Sequence, residues 1–180
     1  MMRALLDANV LYPTVLREVL ADVAAAGLYV PIWSPRILEE WRHVAARQGP
    51  DVAAVAGVEI ALLAERFPAA SVSDQGSRSA GLDLPDPADA HVIEAALNGG
   101  AELIVTANLR DFPRPQMAAV GLRAVHPDPF LLDLFAHHPD PVAAAVRAAH
   151  AKAERLGGAM PLAQMMKRAR LPRLGRALAR

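Results

Sequence analysis

Asp7 stands where its neighbours suggest more than a solvated surface. Three more acids, Glu40, Asp89 and Asp111, stand at comparable places, Asp89 gaining its interest only from the company of the others. Asp7 ends the short apolar run Ala4-Leu5-Leu6 and is followed by Ala8-Asn9-Val10-Leu11. Asp111 comes six residues after the apolar run Leu103-Ile104-Val105, with Thr106 and Asn108 between them. A carboxylate buried without a partner is unfavourable by several kcal/mol, so a cation or a cluster of donors should meet Asp7. Three or four acids drawn from separate segments to one sheet edge repel one another unless a divalent ion neutralises them. All-oxygen sites of this kind suit Mg²⁺ or Mn²⁺. Two such ions about 4 Å apart can activate a water and stabilise the leaving oxygen of a phosphodiester. Thr106 and Asn108 add a hydroxyl and an amide at the same sheet edge.

Each acid also has a plainer reading. Asp7 could cap a helix, but the next good helix start lies some seven residues on, at Thr14. Asp86-Pro87-Ala88-Asp89 looks like a helix start, with Asp86 as N-cap and Asp89 favouring the helix dipole. Glu39 and Glu40 are adjacent and point to different sides of a helix. Glu40, three residues after Ile37 and next to Trp41, lies nearer the apolar face and is the one favoured. Asp111 is flanked by turn formers. His91 reads as an ordinary side chain near the surface, and the other five histidines show no ligand spacing.

The elements that must position these groups follow from periodicity. Ala4–Leu6, Leu28–Trp33 and Leu103–Val105 read as strands, Leu122–Val125 as a weaker one, and Ala69–Val72 as a short candidate. Helical spacing runs from Thr14 to Ala26, ending at Gly27. A second helix opens at Ser34-Pro35, an N-cap followed by proline at the first helical position, and breaks at Gly49-Pro50. Asp51 to Phe67 is a third. Ser73 to Leu84 has no period and reads as a loop. Asp86-Pro87 opens a helix that Asn98-Gly99-Gly100 ends, and 106–113 is the loop after the third strand. Strands alternating with helices predict an α/β fold on a parallel sheet. In such sheets, ligands bind outside the carboxyl ends of the strands. Pro129–Ala136, Pro141–Leu156 and Leu162–Ala179 read as helices without strand signals. This divides the chain into a body over 1–135 and a helical extension over 136–180, with Gly157-Gly158 a turn.

The 180 residues suffice for one domain, or one with a small appendage. Cysteine is absent, which excludes disulfides and thiolate zinc sites. No run approaches the roughly 18 apolar residues of a membrane span, and Asp7 interrupts what would be a signal-peptide core. The expectation is a cytoplasmic protein without a membrane partner. Net charge is zero, yet residues 1–135 hold 10 Lys+Arg against 17 Asp+Glu, and residues 136–180 hold 9 against 2. A basic tail on an acidic body suggests a polyanion or an acidic partner. The plainer alternative is a solvated helix face that pairs with the body.

Leu6-Asp7-Ala8-Asn9-Val10-Leu11, Ser34-Pro35-Arg36-Ile37-Leu38-Glu39-Glu40, Asp89-Ala90-His91-Val92-Ile93 and Ile104-Val105-Thr106-Ala107-Asn108-Leu109-Arg110-Asp111-Phe112 occur in an order that resembles the PIN domain family of metal-dependent ribonucleases. The resemblance covers roughly residues 2–130. It implies a three-layer α/β/α sandwich with Mg²⁺ or Mn²⁺ held by Asp7, Glu40, Asp89 and Asp111. Asn9 and Thr106 resemble the polar residues placed beside the metal. It also implies an RNA substrate. As in VapC-type toxins, it implies a cognate antitoxin that silences cleavage, and commonly a homodimer. His126-Pro127-Asp128-Pro129-Phe130-Leu131 and the tail resemble a bacterial subgroup with a longer C-terminus. The competing expectation is a PIN-like binding module without catalysis that acts in a complex. A receiver or phosphatase on a similar sheet fits less well. Asn9 stands where a phosphatase would want a second Asp, and no suitable Lys follows a later strand.

Overall fold

The opening apolar run becomes β1 (Arg3–Leu6), which lies inside the sheet with a partner on each side. The computed structural model describes residues 1–180. β2 (Val30–Ile32) pairs with β1 through Leu5↔Ile32, and β3 (Leu103–Val105) through Leu5↔Ile104. β4 (Arg123–Val125) lies outside β3. All pairings are parallel and the order is β2-β1-β3-β4. Ala4, Leu5, Leu6, Ile104 and Val105 are almost wholly buried. This explains the unbroken apolar composition of the central strands, since a parallel sheet covered on both faces has no polar side.

Between β1 and β2 lie α1 (Ala8–Leu11) and α2 (Thr14–Ala25). Between β2 and β3 lie α3 (Pro35–Ala46), α4 (Pro50–Arg66) and α5 (Ala90–Asn98), the last preceded by a 3₁₀ turn over Pro87–Asp89. A second 3₁₀ turn at Leu109–Asp111 and α6 (Arg114–Ala119) lead to β4. The first connection moves across the sheet one way and the second moves back. Right-handed crossovers therefore put them on opposite faces, which yields helices, sheet and helices in three layers.

Beyond β4 the chain is helical: α7 (Pro127–His137), α8 (Pro139–Gly157), α9 (Leu162–Arg168) and α10 (Pro172–Leu178). α8 packs on α2, and α10 packs on α7. Val142, Val146, Met165, Leu171 and Leu174 belong to the same cluster of 42 buried residues as β1 and β3. No helix is long and apolar enough to cross a membrane.

Four local expectations are corrected. Asp7 does cap a helix, the one-turn α1, which is too short to show periodicity. Ala69–Val72 forms one bridge, Trp33↔Ser71, beside β2 rather than a strand. Pro13, not Thr14, holds the N-cap position of α2. The stretch read as one helix over 162–179 is two, because Arg170 takes φ 58 between α9 and α10. Gly158 (φ 84) ends α8, where the turn was expected.

Candidate metal centre

Asp7 leaves the carboxyl end of β1 and Thr106 the carboxyl end of β3, so the pairing of these strands brings the two side chains together. The Asp7 amide donates to the Val105 carbonyl at 3.1 Å, which locks that register at the edge. Asp7 is buried, and each oxygen has a donor. Oδ1 accepts from the Ala8 amide at 2.8 Å. Oδ2 accepts from Thr106 Oγ1 at 2.9 Å and Asn9 Nδ2 at 3.0 Å. Asn9 is fixed in turn by its Oδ1, which accepts the Ala107 amide at 2.9 Å. Burial pushes the Asp7 carboxyl above its ordinary range. The Thr106 and Ala8 hydrogen bonds oppose the shift, while the negative charge of Glu40 adds to it.

Asp89 separates clearly from Asp86. Asp86 is the cap expected from the sequence, accepting the Ala88 amide at 2.9 Å. Asp89 stands at the start of α5 without capping it, and its carboxylate takes part in none of the hydrogen bonds or ion pairs of the chain. It is half-buried, and its pKa is raised from 3.8 to about 6. Partial burial is the main cause, and the charges of Asp111, Asp7 and Asp86 follow. Asp111 accepts from Asn108 Nδ2 at 2.6 Å. Acids from two other segments therefore crowd Asp89, and neither Lys nor Arg forms an ion pair with any of the three.

Helix α3 divides the adjacent acids as their spacing suggests. Glu39 is exposed and pairs with Arg42 and His43 on its own helix. Glu40 Oε1 lies 2.7 Å from Nε2 of His91 on α5. Because a carboxylate cannot donate, the Nε2–H of His91 is the donor, and its buried Nδ1 is left without a partner. His91 is thus not the surface side chain the sequence suggested. It is buried and holds Glu40, and its only signal was its place two residues after Asp89.

Sequence reasoning also passed over Glu94, buried on α5, whose Oε1 accepts from both the amide (2.5 Å) and the hydroxyl (2.7 Å) of Ser79. With Asn98, which donates to the carbonyls of Ser73 and Gln75 at 2.8 Å, it holds the 73–84 loop against α5. No local pattern marks a glutamate on an apolar helix face as a loop anchor.

No three acid or histidine side chains close to the spacing of a formed coordination shell. The donor set nonetheless fits a hard divalent cation. It is all oxygen, it carries mutually repelling charge, and it includes an acid, Asp89, with no partner in the protein. Asp7, Asp89 and Asp111, with Glu40 beside them, are the groups that could hold such an ion.

A four-stranded parallel sheet flanked by helices, with acids beyond the carboxyl ends of its central strands, defines an α/β domain of the PIN type. The PIN domain family model matches residues 3–110, and the chain belongs to that family; the C-terminal helices lie beyond the match. A stretch of 45 residues is 49% identical to a Mycobacterium tuberculosis (strain ATCC 25618 / H37Rv) protein named "Putative ribonuclease VapC50". That stretch spans 25% of this chain and 27% of the relative. No solved structure matches the chain.

Proposed function

We propose that this protein is a Mg²⁺- or Mn²⁺-dependent endoribonuclease, and that it acts as the toxin of a toxin–antitoxin pair of the VapC kind. The observation that carries the reading is Asp89: a half-buried carboxylate without a partner, pushed up to about 6 by burial and by the charges of Asp111, Asp7 and Asp86. A protein gains nothing in stability from such crowding, and perturbed acids gathered in this way mark sites of chemistry. When bound, the metal would supply an activated water and neutralise charge on the phosphodiester.

The chain's own residues divide the remaining work. Asp7, Asp89 and Asp111 would hold the ion. Glu40, steadied by His91, either joins them or acts through water. Asn9 and Thr106 keep the Asp7 carboxylate oriented through Oδ2 and spare it a search among rotamers. The name of the partial relative supports an RNA substrate and, by its VapC designation, a silencing antitoxin.

The test is cleavage of RNA by the purified protein with Mg²⁺ or Mn²⁺, compared with EDTA and with Asp7→Asn and Asp89→Asn. Outer-shell changes at metal sites cost about 10–100-fold, so loss of either acid should cost more than that. Cleavage that persists in EDTA or in Asp7→Asn would defeat the mechanism. For the toxin role, expression of wild type but not Asp7→Asn should arrest growth.

A further inference from the structure

A groove of about 540 Å³ joins the carboxylate cluster to the C-terminal helices. Asn9 and Asn108, which hydrogen-bond Asp7 and Asp111, line it together with Tyr12, His126, Arg168 and Arg170. Tyr12 is one of the few large apolar side chains left exposed, at 41%. Of the nine basic residues in the tail, Lys152 is committed to Glu18. Arg168 and Arg170 are exposed and form no ion pair. The only side-chain hydrogen bond of Arg168 goes to Met160 Sδ at 4.0 Å.

The backbone at Arg170 is a second, independent observation. After α9, the Leu171 amide donates to the Met166 carbonyl at 2.8 Å and the Arg170 amide to the Lys167 carbonyl at 3.1 Å. This is the pair of bonds of a Schellman C-cap, whose left-handed residue is usually glycine. Arginine occupies it at φ 58, the one non-glycine residue of the chain with positive φ. A side chain kept where glycine would be easier invites a functional explanation. The turn is also fastened. Asp128, 3% exposed on α7, accepts the Arg173 amide at 3.0 Å and the Leu174 amide at 2.9 Å, so it caps α10 and fixes the arginines relative to β4.

We propose that this groove is a track for single-stranded RNA. In it Arg168 and Arg170 hold backbone phosphates and Tyr12 stacks a base, which delivers a phosphodiester to Asp7 and its neighbours. The proposal rests on the nuclease reading and assigns the C-terminal helices a share in substrate binding. Phosphate is repelled by the acid cluster, so cations must hold it nearby. An exposed ring offers its face only to an unstacked base, which favours a single strand over a duplex.

The test measures binding of a labelled single-stranded RNA oligonucleotide of mixed sequence across a salt series. It uses Asp7→Asn, and wild type in EDTA, so that cleavage does not intervene. Each phosphate contact in a single strand contributes about 0.7 to the slope of log K against log salt. Arg168→Ala with Arg170→Gly should therefore flatten the slope by about 1.4. Arg170→Gly alone should flatten it by about 0.7 with no fall in Tm, since glycine suits the left-handed turn, and Arg170→Lys should restore most of the slope. Tyr12→Ala should weaken binding about tenfold. Arg147→Ala with Arg155→Ala, on α8 outside the groove, should leave the slope as it was.

An unchanged slope in the groove variant, or an equal change in the α8 control, would overturn the proposal. So would an acidic peptide that displaces the RNA and binds more tightly through the same arginines, which would assign the groove to a protein partner. Cleavage that survives Asp7→Asn would sink the nuclease reading alone, because the salt slope judges the groove by itself.

Discussion

Thr106 Oγ1 donates to Asp7 Oδ2 at 2.9 Å across 99 residues of chain, and this single bond ties the ends of the two central strands to the candidate metal centre. Thr106 is wholly buried, so water cannot take the place of its hydroxyl, which leaves Oδ2 with Asn9 Nδ2 alone and the Asn108 amide without its acceptor. Thr106→Val should destabilise the protein by about 1–3 kcal/mol, the range for depriving a buried polar group of its partner. It should also weaken Mn²⁺ binding about 10–100-fold. Denaturant unfolding and calorimetric Mn²⁺ titration check the two effects separately, and an unaltered metal affinity would confine Thr106 to stability.

The acids make the metal-free fold sensitive to pH in a direction opposite to that of salt-bridged carboxylates. Asp89 has its pKa raised from 3.8 to about 6, so the folded chain holds this proton more tightly than the unfolded chain does. Its contribution is present below about pH 4 and is lost as pH rises through about 6; the upward shift of Asp7 acts in the same sense. In EDTA, Tm should therefore fall more steeply between pH 4 and 7 for wild type than for Asp89→Asn. Added Mg²⁺ or Mn²⁺ should raise Tm more at pH 7 than at pH 5, because the ligands must be deprotonated. Equal pH profiles for the two proteins would remove Asp89 from the cluster.

Glu39 and Glu40 provide a comparison of neighbours. Glu40→Gln keeps the size of the side chain but removes the charge near Asp7 and weakens the bond to His91. RNA cleavage should fall by about tenfold or more, while Glu39→Gln, which loses only exposed pairs with Arg42 and His43, should stay within about twofold. Equal losses would mean that helix charge, not position, matters.

Glu94→Ala removes the acceptor for both the Ser79 amide and its hydroxyl inside a buried contact. The expected loss is about 1–3 kcal/mol, with new proteolytic cleavage confined to residues 73–84. A protease pattern identical to that of wild type would show that Asn98 alone suffices to hold the loop.

Asp128→Ala should remove the cap of α10, at a cost of about 0.5–2 kcal/mol. Amide exchange should quicken in α9 and α10 before it does in the sheet. Exchange that quickens equally everywhere would make the tail inseparable from the global fold, as its share in the common core allows.

Several of these features are legible in the amino-acid sequence alone. The apolar runs at 4–6 and 103–105, the Ser34-Pro35 helix start and the Gly27 stop carry their signals within a few residues, and each forms where expected. Glu40 could be chosen over Glu39 because a helix has two sides and only one was apolar. α1 escaped because four residues cannot display a period, and α6, between the 106–113 loop and the strand at 122–125, is hardly longer at six. His91 and Asp128 escaped because their partners lie far away along the chain, Glu40 at 51 residues and the Leu174 amide at 46.

By itself, the order of apolar runs and breakers determined a parallel α/β sheet, and the acids placed just after those runs pointed to its carboxyl end as the candidate site, because both are written in short-range pattern. Only the tertiary structure decided that Asp89 stands without a partner, that His91 holds Glu40, and that Arg170 lines the same groove as Asn9. Each of these depends on which distant segments pack together. Strand register and helix packing set those distances, through contacts that no stretch of a few residues encodes.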